Sequence, residues 1–315
     1  MAIPYSTTNT GTDVRAVMRH SSIKVNGSWQ YLEDIQIKHA GAWRDTKEVY
    51  VKQSGTWRKV HEGEHFLFKY DVSSTGNGFD LDPYLINNLG YTGNKIKGLI
   101  TIKANVTCKQ LTIGNFSSDS LIYLRLELNA RIQSRGGNGG NSTGAGSGSG
   151  PNGSNGQRAF YTRTPFILDN ASLIAGGGGG GAGGENSYDQ YIVQQSYGCQ
   201  KGSTCNRDTT VQDFKAGGGG GGGAGYPNSN GGLGGSNSYN GQGGTQNSGG
   251  TGGPAEGGAT SHAGGNGGNP GQNGQDTTGG GSPGSAGAAI DGWSYRAGQS
   301  GNGYQEVNIR GPKVN

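Results

Sequence analysis

The sequence has 315 residues, 68 of them glycine, and a formal net charge of +4. Glycine is therefore about three times as frequent as its usual share of ~7%. The charge is spread over both halves without blocks of Lys or Arg, which argues against a nucleic-acid-binding protein, and no stretch approaches the ~20 apolar residues that a membrane-spanning helix needs.

Glycine divides the chain into two parts of different composition. Residues 1–130 contain 11 of the 68 glycines, whereas residues 131–315 contain 57. The first part carries Ile, Val, Leu and Trp in strand-like runs and can form a conventional core. The second has few large aliphatic residues to bury. We expect a boundary near Ser134–Gly136 and three domains: 1–63 for attachment, 64–134 as a β-rich connection, and 135–315 as a glycine-rich domain.

Residues 22–62 contain a three-fold repeat with a spacing of 14 residues. The units are SIKVNGSWQYLE, DIQIKHAGAWRDTKE and EVYVKQSGTWRKVHE. Each repeats a glycine and a tryptophan, namely Gly27, Gly41 and Gly55, and Trp29, Trp43 and Trp57. An apolar strand, a turn with glycine and a second strand predict a hairpin in each unit. Two hypotheses follow: the tryptophans form the core of a small repeat domain, or they attach the chain to a three-fold symmetric partner.

Residues 64–134 predict further β structure. Ile122, Leu124, Leu126 and Leu128 alternate with other residues and form one apolar face. The segment LDPYLINNLG predicts one short helix. A small β-sandwich or a short solenoid-like stack fits this part of the chain, with little α-helix overall.

From Gly136 onward, glycine tracts alternate with segments that contain aromatic residues. The two longest runs are Ala175–Gly184 and Ala216–Gly225. Collagen is excluded because the strict Gly-X-Y period is missing, and a phosphate-binding loop is excluded because no Lys-Ser or Lys-Thr follows. A flexible linker is one interpretation. The aromatic segments and bracketing alanines favour the other, a sandwich of polyproline-II-type glycine helices that hydrogen-bond to one another.

Connections between such tracts become loops on a rigid scaffold, where binding residues concentrate. Tyr and Arg in a background of Ser, Gly and Asn are typical of binding loops. The candidate receptor-binding residues are Tyr161, Arg163, Phe166, Tyr188, Tyr191, Tyr197, Lys201, Arg207, Tyr226, Tyr239, Trp293 and Tyr295.

The chain has three cysteines. Cys108 lies in a strand-like run and predicts a buried thiol. Cys199 and Cys205 lie in the polar segment YGCQKGSTCN, where a disulfide, two free thiols and a metal site remain open. A metal site is disfavoured because His262 is the only histidine in that half of the chain. We expect no metal and no cofactor.

These features resemble the distal adhesins of T-even-type phages and the glycine-rich receptor-binding tips of related tailed phages. The resemblance is carried by the polyglycine runs between aromatic segments, by the repeated Trp units, and by the phrases VYVKQSGTWRKVHE, NARIQSRGGNGG and ASLIAGGGGGGAGG. It implies attachment to a trimeric long tail fibre through Trp29, Trp43 and Trp57 with Gly27, Gly41 and Gly55. It also implies a host receptor, either an outer-membrane protein or lipopolysaccharide, at the loops of the glycine domain.

A non-enzymatic adhesin at the distal tip of a virion fibre is therefore the expected function. The start MAIPYSTTNTG lacks the features of a signal peptide, so we expect synthesis in the host cytoplasm, release by lysis and no membrane insertion. Catalysis is disfavoured because none of the five histidines lies in a recognisable catalytic or metal pattern. A tail-fibre assembly chaperone and a glycine-rich ice-binding protein are the alternatives.

Overall fold

A computed structural model describes most of the chain. The described residues are 22–25, 28–31, 36–39, 41–45, 48–62, 65–91, 93, 95–142, 150–198, 204–233, 238–256, 262–277, 280–299 and 306–315. The fold is mostly β, as predicted, with one short α-helix. No helix among these residues is long and apolar enough to cross a membrane.

Three antiparallel strand pairs occupy the repeat region. The six strands are β1 Ser22–Val25, β2 Ser28–Tyr31, β3 Gln36–His39, β4 Ala42–Asp45, β5 Glu48–Gln53 and β6 Thr56–Glu62. In each pair a tryptophan lies opposite a lysine, and the partners are Lys24 and Trp29, Lys38 and Trp43, and Lys52 and Trp57. Gly41 and Gly55 adopt φ of +81° and +84°, the left-handed conformation that a tight hairpin turn requires of glycine. Gly27 lies outside the described residues.

The following strands form three parallel sheets. Sheet 1 contains β7 Phe66–Val72, β9 Ile96–Ile102, β12 Leu121–Leu126, β15 Phe166–Asn170 and β20 Arg296–Gln299. Sheet 2 contains β8 Phe79–Asp80, β11 Leu111–Gly114, β14 Phe160–Thr162, β19 Ile290–Asp291 and β22 Lys313–Val314. Sheet 3 contains β10 Thr107–Cys108, β13 Arg131–Gln133, β16 Leu173–Ala175 and β21 Ile309–Arg310.

From β9 onward the chain visits sheets 1, 3 and 2 in turn, and each strand pairs with the equivalent strand of the next coil. This is a three-sided parallel β-solenoid, one of the two architectures expected for residues 64–134. Inward side chains stack in register, so that Ile100, Leu124 and Leu168 are neighbours and all fully buried. These ladders supply the hydrophobic core.

A short helix, α1 Leu81–Leu89, follows β8 as the sequence predicted. It buries Leu81 and Leu85, which are four residues apart and therefore on one face. Its C-cap residue Gly90 adopts φ of 67°, and the Gly90 N–H donates to the Leu85 carbonyl oxygen. The helix contacts β11 and so lies near the first coil of the solenoid.

The glycine-rich segments are insertions into this solenoid. One separates β13 from β14, and the other separates β16 from β19. Both insertions leave after a strand of sheet 3 and return before a strand of sheet 2, at the same corner of the solenoid. The boundary predicted at residue 135 marks a change in composition, whereas all three sheets contain strands from both sides of it.

Within the insertions, backbone groups of the glycine tracts bond to one another with a period of three residues. In tract 176–184, every third backbone N–H donates to the same neighbouring tract, and successive residues donate to different neighbouring tracts. The donor–acceptor pairs are Gly178–Ala224, Gly181–Gly221 and Gly184–Gly218 toward one tract, Gly177–Gln157, Gly180–Ser154 and Gly183–Pro151 toward a second, and Gly179–Gln272 and Ala182–Gln275 toward a third. Glycines 176–181, 183 and 184 are fully surrounded, and Ala182 is fully buried among them.

The pairing directions give the glycine region two ends. At the near end, tracts join the solenoid, and the Tyr226 N–H donates to the carbonyl oxygen of Ser134, next to β13. At the far end, successive tracts are joined by chain running between residues 142 and 150, 184 and 217, 233 and 239, 254 and 262, and 277 and 281. Five connections therefore meet at the end of the scaffold that lies away from the solenoid.

Candidate functional site

The far end carries the longest connection, a two-stranded antiparallel ribbon. Its strands are β17 Ser187–Gly198 and β18 Thr204–Lys215, paired over twelve positions without a register shift. This segment was expected to be a loop. At ~3.4 Å per residue each strand spans roughly 40 Å. At its base the Gly217 N–H donates to the buried side-chain oxygen of Asn186 at 2.9 Å, which ties the ribbon to the scaffold.

Large side chains are exposed over the far end. The ribbon exposes Tyr191, Ile192 and Tyr197, and the neighbouring connections expose Leu233 and Tyr239. Each of these side chains is at least half exposed, with Ile192 at 67% and Tyr239 at 65%. This end of the glycine region is therefore the candidate interaction surface. We call these five residues together with Arg207 the far-end surface.

One face of the ribbon combines aromatic and cationic groups. Residues directly opposite in an antiparallel pair share a face, and the register sets Gln195 opposite Arg207 and Tyr197 opposite Cys205. Gln195, Ser196, Tyr197 and Arg207 line a surface depression of about 600 Å³. Aromatic faces, a guanidinium and amide groups are the chemistry of polar recognition surfaces.

The tip of the ribbon is covalently restrained. Cys205 is disulfide-bonded, and Cys108 is a free, buried thiol as predicted. Cys199 and Lys201 lie outside the described residues. Tyr188 lies in β17, with Phe214 as its cross-strand partner.

Four predicted residues lie on the solenoid instead of the far end. Tyr161 is partly buried, with the guanidinium carbons of Arg158 and Arg163 at 4.2 and 4.7 Å from its ring centroid. Both arginines donate to the Asp291 carboxylate, at 3.0 and 2.8 Å. The hydrogen bond to Asp291 is the main cause that raises the pKa of Arg163. Arg163 is thus engaged within the solenoid surface.

Trp293 and Tyr295 belong to the same part of the molecule, in a 3-10 helix spanning Trp293–Tyr295. The Trp293 ring is half-buried, and its centroid lies 4.1 Å from Cζ of Arg296 and 4.8 Å from Nζ of Lys313. Tyr295 is 37% exposed. These residues tie the last coil of the solenoid together.

Two further predicted residues are also distant from the far end, and one of them is a correction. Phe166 was predicted to contact a receptor, but it lies in β15, is fully buried and packs edge-on against Phe160 at 5.2 Å. The prediction for Phe166 was wrong because the segment that contains it forms solenoid strands. Tyr226 is partly buried at the near end, where its hydroxyl lies beside Gly76.

The predicted binding residues do not include Ile192, Gln195 and Ser196, because this segment was expected to be a loop and not a ribbon. Its signal was present: two polar stretches of equal length flank a short segment with glycine and cysteine, which is the pattern of a long hairpin. A further pair, His262 and Glu185, lies at the far end with Nδ1 and Oε2 3.8 Å apart. Among the described residues no group of His, Cys, Asp and Glu could hold a metal ion.

The sequence model of the family described as "Phage tail fibre adhesin Gp38" matches residues 67–314. No curated protein sequence matches the chain. The chain is similar to a solved structure entitled "Crystal structure of the gp37-gp38 adhesin tip complex of the bacteriophage S16 long tail fiber", with 20% identity, coverage of 81% of this chain and 84% of that chain, and a TM-score of 0.38.

Proposed function

Because the family match spans residues 67–314, the chain belongs to the phage tail fibre adhesin family, and we propose that its far-end surface binds the host receptor. One observation carries this proposal. Five connections and the most exposed of the described aromatic residues of the glycine region lie at one end of the scaffold, whereas the solenoid occupies the other. Binding residues concentrate on connections that a rigid scaffold positions.

The scaffold is proposed to be a sandwich of polyproline-II-type glycine helices. A period of three residues in the hydrogen-bond partners of tract 176–184 supports this, because such a helix has three residues per turn and no internal hydrogen bonds. Neighbouring backbones also fill the space that a Cβ would need at almost every tract glycine. Nine residues at ~3.1 Å rise separate the near and far ends by roughly 28 Å.

The proposed receptor is an outer-membrane protein or lipopolysaccharide of the host. The far-end surface offers the rings of Tyr191, Tyr197 and Tyr239, the guanidinium of Arg207 and the exposed aliphatic groups of Ile192 and Leu233. Tyrosine supplies a large contact area at low entropic cost, and Arg supplies charged hydrogen bonds.

Substitutions at the two ends of the molecule test the receptor assignment. Tyr197→Ala, Arg207→Ala and Tyr239→Ala are expected to lower binding of the purified protein to host cells by roughly tenfold or more, the loss typical of an anchor residue. Tyr161→Ala is the matched control, because that ring lies among arginines on the solenoid. The assignment fails if Tyr161→Ala abolishes binding while the folded far-end variants bind like wild type.

The repeat region is proposed to attach the chain to a trimeric tail fibre at the distal tip of the virion. Trp29, Trp43 and Trp57 occupy equivalent register positions in three strand pairs, and Trp57 is 65% exposed. Three equivalent aromatic anchors suit a partner with three equivalent surfaces. Trp57→Ala should weaken capture of fibre protein from phage lysates without changing host-cell binding. Mass spectrometry of purified virions separates a resident adhesin from an assembly chaperone, which would be absent from the particle.

A further inference from the structure

The β17–β18 ribbon has two open edges. It is a two-stranded sheet, and no other described strand pairs with either of its strands. Each strand therefore uses only half of its backbone groups within the ribbon, and the others point outward along the edge. Residues 190–192, 194–197 and 206–210 are exposed.

The two strands lack three features that commonly protect an edge strand, namely proline, a row of lysines and a bulge. Proteins block strand addition with prolines, lysines along the edge, bulges or covering loops. Residues 187–198 and 204–215 contain no proline and a single lysine, Lys215, which lies at the base opposite Ser187. Pairing is continuous over all twelve positions, whereas the β5–β6 pair carries a register shift between Val49 and Tyr50.

We propose that the ribbon binds the host by strand addition, in which an extended segment of a surface polypeptide pairs with an open edge and forms a third strand. This inference rests on the proposed function, because the far end is the part that faces the host. Alternating N–H and C=O groups at strand spacing match another extended backbone. A glycan offers hydroxyl groups without that period, so the geometry selects a protein receptor over lipopolysaccharide.

Side chains on the ribbon face then select which segment binds. A strand added at β17 lies beside Tyr191 and Tyr197 on one face and beside Ile192 on the other, whereas a strand added at β18 lies beside Arg207 on the first of these faces. An aromatic or β-branched residue beside the tyrosines and a carboxylate beside Arg207 would be preferred. The backbone supplies affinity and these positions supply host range.

Paired substitutions at one edge distinguish backbone from side-chain recognition. Thr209 and Thr210 are adjacent in β18, so one of their N–H groups faces β17 and the other faces the open edge. Thr209→Pro and Thr210→Pro each remove one N–H, whereas Thr209→Ala and Thr210→Ala retain it. Hydrogen exchange of the full-length variants identifies the proline variant in which β17 and β18 stay paired.

Binding is measured to outer-membrane vesicles from the host, either untreated, protease-treated or periodate-oxidised. The proline variant with an intact ribbon should bind untreated vesicles about tenfold or more weakly than its alanine counterpart. The wild-type protein should no longer bind protease-treated vesicles but should still bind oxidised ones. The same substitutions at Val193 and Gln194 test the β17 edge. At one edge or the other, the proline variant should bind more weakly than the alanine variant. Equal binding by proline and alanine variants at both edges, or binding that survives protease, overturns strand addition.

Two further outcomes separate this inference from the proposed function. If Tyr197→Ala weakens binding but every edge variant binds normally, the far-end surface remains the receptor site and strand addition is wrong. If neither class of variant affects binding, the proposed function itself fails. The added strand could instead come from a second copy of this chain, and light scattering tests this by detecting a dimer. A dimer that depends on the ribbon and does not bind vesicles would also overturn the proposal.

Discussion

At the scale of single residues, the glycine region depends on the space around each Cα. A Cβ at Gly181 would lie much closer to the Gly265 carbonyl oxygen than van der Waals contact between carbon and oxygen allows. The adjacent Ala182 is nevertheless fully buried, so the packing leaves room for one methyl group there. The sequence predicts that such tracts are enclosed by backbone, but it does not reveal which positions accept alanine, because that depends on the tracts that surround them.

Gly181→Ala is expected to lower the free energy of unfolding by roughly 1–3 kcal/mol or more, the usual cost of overpacking, because only backbone atoms could move aside. Gly298→Ala is the matched control, since a Cβ there would meet only Ile167, at an ordinary 4.0 Å. Urea unfolding measures both variants. Equal stability of the two would contradict the close approach of tracts 176–184 and 262–269.

The buried thiol of Cys108 provides a pH-dependent test of the solenoid core. Burial raises its pKa from 9.0 to about 11, although hydrogen bonds with the backbone of Gln110 and Phe79 partly oppose this. Below pH 9 the thiol is protonated in both folded and unfolded chains. Between pH 9 and 11 the unfolded chain loses the proton while the folded chain keeps it, so this contribution to stability falls as pH rises.

The loss amounts to about 2–3 kcal/mol by pH 11. Urea unfolding of wild type and Cys108→Ala at pH 8, 9, 10 and 11 isolates this term from the titration of Tyr and Lys. Wild type should lose more stability over this interval than the variant. Parallel pH profiles would show that the thiol is not buried as described.

At the scale of elements, the sequence predicts strands where periodicity is long enough to be seen. Ile122, Leu124 and Leu126 face the core as expected, whereas Leu128 is 69% exposed because β12 ends at Leu126 and the chain turns at Asn129. Strands of two or three residues, such as β10 and β19, carry no periodicity of their own. Only stacking on neighbouring coils makes them strands, so parallel register could not be predicted locally.

The ribbon shows the same limit for the candidate site. Tyr191, Tyr197 and Tyr239 were predicted from composition, and the structure brings them to the far end. Composition alone also selected Phe166, Tyr161 and Trp293, because it does not distinguish an aromatic residue on a connection from one on a solenoid strand. Topology makes that distinction, since it determines which segments lie between tracts and which lie between sheets.

An isolated two-stranded ribbon is only marginally stable in water, so the disulfide at Cys205 should matter for its order. Closing a short loop is worth roughly 2–4 kcal/mol. Reduction with dithiothreitol should speed hydrogen exchange in β17 and β18 and lower host-cell binding, while urea unfolding of the solenoid stays unchanged. Cys205→Ser should reproduce the effect, and Cys108→Ala should retain normal binding. Unchanged exchange after complete reduction would show that the ribbon is ordered without the bond.

At the scale of the whole molecule, two kinds of construction meet at one corner of the solenoid. The solenoid is stabilised by stacked aliphatic side chains, and the glycine region by backbone hydrogen bonds between tracts. Both insertions leave sheet 3 and return to sheet 2, so the scaffold has one anchored end and one free end. Changes at the free end should therefore affect binding without affecting folding, whereas changes at the anchored end should affect folding.

Replacing residues 187–215 by a short Gly-Ser linker tests this separation. The Gly184 N–H donates directly to the Gly218 carbonyl oxygen at 2.8 Å, and the Asn186 side-chain oxygen accepts from the Gly217 N–H. The two tracts on either side of the ribbon are therefore hydrogen-bonded to each other by residues outside it. The deletion is expected to leave the thermal midpoint at the wild-type value and to abolish host-cell binding.

The matched change at the near end is replacement of residues 226–229 by a linker of the same length. This segment packs the Tyr226 side chain against Gly76, and the loss of that contact should lower the thermal midpoint. One destabilising change of about 1 kcal/mol shifts the midpoint by only a few degrees in a protein of this size, so calorimetry must resolve that difference. If the ribbon deletion unfolds the protein and the near-end replacement does not, the assignment of a free and an anchored end is wrong.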